Sequence, residues 1–188
     1  MNNDEQLLAK AKTLDPEALR ALHQQFYEPV ARYISFKVGN AQTVEDLSGE
    51  VFVRVIEGLK RGKGWQESPK GWIMGIARNL VADYYRQRER VTEVKLTPDV
   101  AATQEASPIQ LALRSERKAE LMAAIHELTD DQRDVILMRF MEGINIEGVA
   151  KAIGKTPGAV KGLQYRALRA LAEKMKEFSA EDRLELED

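Results

Sequence analysis

Apolar residues recur every three or four positions along almost the whole chain, and this spacing is typical of helices that bury one face. Leu19, Leu22, Phe26 and Val30 follow the pattern near the start. The segments "VFVRVI" and "VILM" could form strands in isolation, but both lie inside longer stretches with helical spacing. The sequence therefore predicts an all-α fold.

The helical pattern is interrupted between residues 91 and 108. The stretch "VTEVKLTPDVAATQEASP" is poor in large apolar residues and contains Pro98 and Pro108, which is typical of a flexible linker between two small domains. We expect a first helical domain at residues 1–92, a linker at 93–112, a second domain at 113–178 and an acidic tail at 179–188. The tail is expected to be disordered, with a regulatory contact as the alternative.

Several helix ends are indicated by capping residues. Asp15, followed by a proline, predicts an N-cap with proline in the first helical position. Thr129, with Gln132 three residues later, predicts a capping box, and Thr43 is expected to cap another helix. Pro29 is expected to kink or interrupt the helix in which it lies.

The 188 residues include no cysteine, which excludes a disulfide framework and a thiolate metal site. The two histidines, His23 and His126, are far apart and have no ligand-like neighbours. Because no nucleophile–base pattern is evident either, the sequence predicts no catalytic site, no metal and no cofactor. It also shows no signal peptide and no membrane-spanning apolar run, so we expect a cytoplasmic protein without membrane insertion.

The net charge of −2 conceals a strongly basic segment. Residues 149–176 carry seven lysines and arginines against one glutamate, whereas residues 177–188 carry six acidic residues against one arginine. Because the distribution of charge matters more than its sum, the net charge does not exclude nucleic-acid binding. Solvated helix faces would explain the same charges.

The basic segment contains "KAIGKTPGAVKGLQYRALRAL", which fits one of two kinds of site. A phosphate-binding loop would need a glycine where Val149 stands, and a preceding strand. A helix-turn-helix needs a small residue, a glycine at the turn and an aliphatic residue at the joint, and Ala150, Gly154 and Val160 meet these needs. Thr156 is then expected to cap the second helix, so the segment predicts a helix-turn-helix.

The exposed face of that second helix carries side chains suited to duplex DNA. Arg and Lys read guanine edges in the major groove, Gln can read adenine, and further cations hold phosphates. An ordinary helical hairpin with a basic face is the alternative. The residues expected to contact duplex DNA are Lys155, Thr156, Lys161, Gln164, Tyr165, Arg166 and Arg169.

The first domain contains "GWIMGIARNLVADYYRQRER", which places aromatic residues beside arginines. Aromatic side chains interleaved with cations suit single-stranded nucleic acid, because exposed bases stack on them while the charges hold the backbone. Core packing of Trp72 and Tyr84 is the alternative reading of the same residues.

Three motifs in order resemble the successive conserved regions of bacterial RNA polymerase sigma factors. They are "TVEDLSGEVFVRVI", "GWIMGIARNLVADYYR" and "LTDDQRDVILMRFMEGINIEGVAKAIGKTPGAVKGLQYRALRAL". The small size and two-domain layout resemble the extracytoplasmic-function (ECF) group of the sigma-70 family. The resemblance implies a protein that binds core RNA polymerase, directs it to promoters and helps to melt them.

The resemblance also implies roles for individual residues. Those expected to dock on the β′ clamp helices of the polymerase are Glu45, Asp46, Glu50 and Arg54. Those expected at the minus-ten element are Lys63, Trp65, Ile76, Arg78, Asn79, Asp83, Arg86 and Arg90. Among these, Ile76, Asn79 and Asp83 align with a pocket for an extruded base, walled by the loop 63–70.

The second domain is similar to the part of the family that reads the minus-thirty-five duplex. Many members have Ser-Arg where this chain has Gly162-Leu163, so the promoter sequence read here is expected to differ. The implied partners are core RNA polymerase, through its β′ clamp helices and β flap, and promoter DNA, both duplex and single-stranded. An anti-sigma factor is a further partner common in the family.

A conventional helix-turn-helix regulator is the alternative function. Its first domain would bind a ligand or dimerise, and it would bind duplex DNA without polymerase, usually as a dimer on a palindrome.

Overall fold

The computed structural model describes residues 3–66, 68–94 and 116–185, with side chains described for 5–66, 68–89 and 120–176. Over these ranges the chain is helical and contains no strand, which confirms the all-α prediction. The chain divides into two compact units, one on either side of residues 95–115. The expected linker falls almost entirely outside the described residues.

Four helices are described in the first unit. They are α1 (Asn3–Lys12), α2 (Pro16–Lys37), α3 (Ala41–Lys60) and α4 (Pro69–Val94). Helices α2, α3 and α4 pack against one another, and α1 lies against α2 and α3. Their apolar faces meet in a core, and this burial is the main favourable term that holds the unit together. The core includes Leu22, Phe26, Val30, Tyr33, Ile34, Val51, Val55, Leu59, Ile73, Met74 and Ala77.

The ends of α2 follow the sequence signals, whereas its interior differs from them. The Asp15 Oδ1 accepts a hydrogen bond from the Ala18 amide at 2.9 Å, which confirms the N-cap. Helix α2 continues through Pro29 to Lys37 without interruption, contrary to one of the outcomes expected from the proline. Residues on both sides of the proline are buried, among them Phe26 and Val30, and this packing holds the two halves in one helix.

The start of α3 corrects the prediction that Thr43 is its N-cap. The helix begins at Ala41, and Asn40 caps it by accepting a hydrogen bond from the Thr43 amide at 3.0 Å. Asn40 has an extended backbone, with φ −91° and ψ 122°, as an N-cap requires. Since asparagine is a better cap than threonine, the earlier residue starts the helix and Thr43 lies inside it.

The second unit is built around one long helix. Helix α5 (Glu116–Glu127) is followed by α6 (Asp130–Ile136), which continues as a π-helical turn (Leu137–Met141), then by α7 (Ile146–Ile153) and α8 (Pro157–Glu185). Helix α8 packs against α5, α6 and α7. The core includes Ile125, Val135, Leu137, Met138, Val149, Ala150, Ile153, Val160 and Ala167.

The predicted caps of the second unit are confirmed. The Thr129 amide donates to Gln132 Oε1 at 3.2 Å, and the Ala159 amide donates to Thr156 Oγ1 at 3.2 Å. Gly154 has φ +66° and ψ 36°, so the turn between α7 and α8 takes the left-handed conformation that favours glycine. These contacts fix the geometry of the helix-turn-helix, α7–turn–α8.

The acidic end of the chain is helical where a disordered tail was predicted. Helix α8 extends to Glu185, six residues past the expected start of the tail at 179. Residues 163–185 contain no glycine or proline and are rich in Ala, Leu, Glu, Lys and Arg, all of which favour helix. Residues 186–188 lie outside the described range.

We predict that Gly154→Ala lowers the free energy of unfolding of the second unit by about 1–2 kcal/mol, because an L-residue is strained at positive φ. The matched control is Gly158→Ala in α8, where an added Cβ meets nothing within 4 Å and should stabilise the helix. Urea unfolding followed by circular dichroism measures both effects. Tryptophan fluorescence should be unchanged, since Trp65 and Trp72 both lie in the first unit.

Candidate nucleic-acid interface

A cleft of about 330 Å³ opens on the first unit where α3, α4 and the loop between them meet. Its volume admits a single nucleobase turned out of a stack. The cleft is lined by Arg54, Glu57, Gly58, Arg61, Lys63, Trp72, Ile76, Asn79, Leu80 and Asp83.

The cleft brings together four of the residues expected at the minus-ten element. Ile76, Asn79 and Asp83 are spaced by three and four along α4, so their side chains share one face of the helix. Lys63 enters from the loop after α3. Buried Ile73 and Ala77 attach the adjacent face of α4 to the core, which leaves Asn79 and Asp83 at the cleft.

Trp72, for which the sequence left both base stacking and core packing open, forms the aromatic side of this cleft. A Cβ added to Gly58 would lie only 3.0 Å from Trp72 Cζ2, so the glycine lets the indole pack directly on α3. The ring centroids of Trp72 and Trp65 are 6.1 Å apart. Trp65 is only 6% exposed, so it packs beside Trp72 with little of its ring accessible, and its expected DNA contact stays a prediction.

Charges of both signs surround the cleft. Arg54 Nε donates to Glu50 Oε1 at 2.8 Å. This hydrogen bond and the charge of Glu50 raise the pKa of Arg54, with smaller contributions from Glu57 and Asp83. Arg54 was expected on the polymerase-docking face, and the structure places it between Glu50 of that face and the cleft.

Three arginines of α4 are also expected at the minus-ten element. Arg86 forms an ion pair with Asp83, which lines it. Arg78 is half-buried on α4. The side chain of Arg90 lies outside the part of the chain for which side chains are described.

The expected docking face is the exposed side of α3. Glu45 and Asp46 are exposed near its start, and Gln42 Nε2 donates to Asp46 Oδ1 at 3.1 Å. Glu50 follows one turn later. Val53 is 49% exposed on the same helix, an apolar residue among carboxylates that the sequence reading missed.

In the second unit, α8 presents the expected DNA-binding residues. Val160, Ala167 and Leu171 are buried and attach one side of α8 to the core. The opposite side exposes Lys161, Tyr165, Arg166 and Arg169, and Tyr165 is 68% exposed. Arg169 Nε donates to Glu173 Oε1 at 3.1 Å, and Lys155 forms an ion pair with Asp131 of α6.

Gln164, which is expected to read adenine, also has a hydrogen-bond partner within its own unit. It is half-buried, and its Oε1 accepts a hydrogen bond from Arg139 Nε at 3.3 Å. Arg139 also donates through Nη1 to the Ile144 carbonyl at 2.5 Å. This contact joins α8 to the π-helical turn, and the expected reading of adenine by Gln164 stays a prediction.

Two further observations bear on what else the described residues can do. No group of three or more His, Cys, Asp or Glu among them is placed to hold a metal ion. Within the same residues, no helix has the length and apolar character to cross a membrane. His23 and His126 are both exposed, and His23 packs on Phe52 with ring centroids 4.7 Å apart.

We predict that Gly58→Ala displaces Trp72, because its Cβ would press on the indole, and that it lowers the free energy of unfolding by about 1–3 kcal/mol. A shift in tryptophan emission would report the movement directly. Gly49→Ala, also in α3, is the control, since its Cβ meets nothing within 4 Å. Unchanged emission in Gly58→Ala would contradict the close packing of α3 on Trp72.

Each of the two units matches a known protein family. Residues 22–91 match the family model described as Sigma-70 region 2, and residues 118–171 match Sigma-70, region 4. ECF RNA polymerase sigma factor SigX of Bacillus subtilis is 31% identical, over 85% of this chain and 84% of that protein. ECF RNA polymerase sigma factor BldN of Streptomyces coelicolor is 34% identical over 89% of this chain, but the match spans only 64% of that protein.

A solved structure shows the same fold. Sigma factor RpoE from Bartonella quintana, crystallised with the anti-sigma factor NepR, superposes with a TM-score of 0.63 and 20% sequence identity, covering 84% of this chain and 96% of that one. This fold agrees with the two family models, which match in the expected order. It also agrees with the ECF relative, which is matched over most of its length. The chain therefore belongs to the ECF group of the sigma-70 family of RNA polymerase sigma factors.

Proposed function

We propose how this sigma factor, which directs RNA polymerase to promoters, divides the task between its two units. The first unit docks on the β′ clamp helices of the polymerase and holds an extruded minus-ten base in its cleft. The second unit lies near the β flap and reads the minus-thirty-five duplex with α8. The observation that carries the proposal is the cleft itself, in which Ile76, Asn79, Asp83 and Lys63 meet Trp72.

The chemistry of the cleft suits a base that has left its stack. Turning a base out of a duplex costs a few kcal/mol, and stacking on an aromatic side chain restores about 1–3 kcal/mol. Trp72 offers such a surface, and Asn79 offers both a donor and an acceptor to the edge of the base. Lys63 and Arg61 supply positive charge where the phosphate of the extruded nucleotide would pass.

The docking face on α3 combines charge with an apolar contact. Glu45, Asp46 and Glu50 present carboxylates that suit a basic coiled coil, and complementary charge of this kind mainly raises the rate of association. Exposed Val53 gives the face an apolar centre from which a partner can exclude water. An anti-sigma factor, the kind of partner seen with the Bartonella protein, would block polymerase by covering this face.

On α8, the exposed residues divide between base reading and phosphate contact. Arg166 lies beside Gly162, since a Cβ on that glycine would be 3.5 Å from Arg166 Nη1. With no side chain at Gly162, the arginine has room to reach a base edge, which we propose as its role. Arg169, one turn further along the helix, is assigned to the phosphate backbone.

Dependence of DNA binding on polymerase tests the proposed function. The chain alone should bind genomic DNA fragments weakly and without sequence preference, and addition of core polymerase should give tight, sequence-dependent binding. Nuclease footprinting of both mixtures on the same fragments measures the difference. A specific footprint from the chain alone, unchanged by polymerase, would instead indicate a conventional helix-turn-helix regulator.

We predict that Asn79→Ala impairs strand opening more than formation of the closed complex, because the extruded base loses its hydrogen-bond partner. Permanganate reactivity of unpaired thymines measures opening, and filter binding at low temperature measures the closed complex. Gln87→Ala, at an exposed position further along α4 and outside the cleft, is the control. Normal permanganate reactivity in Asn79→Ala would remove this residue from the base pocket.

We predict that Arg166→Ala costs about 1–3 kcal/mol of minus-thirty-five binding by the polymerase holoenzyme and relaxes specificity at one base pair. Arg169→Ala should weaken binding about equally on every sequence and reduce the salt dependence by about one phosphate contact. Competition between promoter variants, each with one base pair changed, measures both. If Arg166→Ala also weakens all variants equally, Arg166 holds phosphate and does not read a base.

A further inference from the structure

Lys155, one of the residues expected to contact DNA, forms an ion pair with a carboxylate of its own chain. Its Nζ lies 2.9 Å from Asp131 Oδ2, and the two side chains are 35% and 34% exposed. Asp131 belongs to the first turn of α6, whereas Lys155 belongs to the turn of the helix-turn-helix. The pair therefore joins α6 to the start of the recognition helix.

The backbone holds Lys155 firmly in this place. Its amide donates to the Ala150 carbonyl at 2.9 Å, and Gly154 before it takes the left-handed conformation. Thr156 after it caps α8. The backbone from which the ammonium group extends is therefore fixed at the N-terminal end of α8, where the helix dipole is positive.

We propose that Asp131 competes with DNA phosphate for Lys155 and so restrains the affinity of the second unit for any duplex. The inference rests on the proposed function, in that it assumes that α8 binds DNA. A phosphate that reaches Lys155 must also approach the Asp131 carboxylate, and the two negative charges repel. In addition, a lysine neutralised by its own chain contributes less to the release of counterions that drives binding to DNA.

A second lysine–carboxylate pair in the same unit provides a matched control. Lys174 Nζ lies 3.0 Å from Glu127 Oε2, and this pair joins α8 to the C-terminal end of α5. Glu127→Gln and Asp131→Asn each remove one negative charge from one interhelical pair. If only the net charge of the unit mattered, the two substitutions would affect DNA binding equally.

The test uses the full chain and a fluorescein-labelled duplex of mixed sequence, with anisotropy measured over a series of KCl concentrations. Asp131→Asn is expected to bind about two- to fivefold more tightly, the range that a partly exposed ion pair can supply. Its affinity should also fall more steeply with salt, by a slope of about 0.9. Glu127→Gln should behave like the unsubstituted chain.

A double-mutant cycle with Lys155→Gln distinguishes competition with DNA phosphate from a purely structural role of the ion pair. In the Lys155→Gln background, Asp131→Asn should no longer tighten binding, because the contested ammonium group is gone. Circular dichroism checks that all variants are folded at the assay temperature. Equal or weaker binding by Asp131→Asn, or a gain no larger than that of Glu127→Gln, would overturn the inference.

Arg169→Ala, measured with the same duplex, distinguishes failure of this inference from failure of the proposed function, because a phosphate contact contributes to binding on every sequence. If Arg169→Ala weakens binding while Asp131→Asn has no effect, α8 binds DNA and Asp131 does not compete. If neither substitution changes the affinity, α8 is not the DNA-binding surface, and the proposed function fails with the inference.

Discussion

Burial of one apolar face on α4 and on α8 determines where the polar side chains of both candidate surfaces lie. On α4, Ile73 and Ala77 are fully buried, and the helical repeat then directs Asn79 and Asp83 into the cleft. On α8, Val160 and Ala167 do the same for Lys161, Tyr165 and Arg166. The hydrophobic effect that folds each unit thereby also arranges the residues proposed to bind DNA.

Local signals in the sequence were sufficient for the architecture. Helical spacing predicted the all-α fold, and Asp15, Thr129 and Thr156 all cap the helices they were expected to cap. These predictions hold because capping and amphipathic burial depend on residues a few positions apart. The prediction of the start of α3 was wrong because two acceptable caps, Asn40 and Thr43, compete within three residues.

The packing neighbours of Trp65, Trp72 and Gln164 could not be predicted in the same way, because those neighbours are distant in sequence. Which tryptophan lines the cleft is decided by Gly58 on another helix, where the missing side chain admits the indole of Trp72. Gln164 accepts a hydrogen bond from Arg139, which lies on the π-helical turn. Family resemblance grouped Ile76, Asn79 and Asp83, which line one cleft, but it could not show which neighbours complete that cleft.

Carboxylates of the same chain neutralise part of the positive charge on both candidate DNA-binding surfaces. Glu50 holds Arg54, Asp131 holds Lys155 and Glu173 holds Arg169. Such pairing weakens non-specific attraction to DNA, which suits a protein that is proposed to select promoters only when seated on polymerase.

Run-off transcription with purified core polymerase on genomic fragments tests this division of labour most directly. The account predicts that adding the chain produces start sites that core polymerase alone does not use, and that these sites share one pair of sequence elements. Absence of new start sites, in a reaction where a known sigma factor activates the same core polymerase, would contradict it.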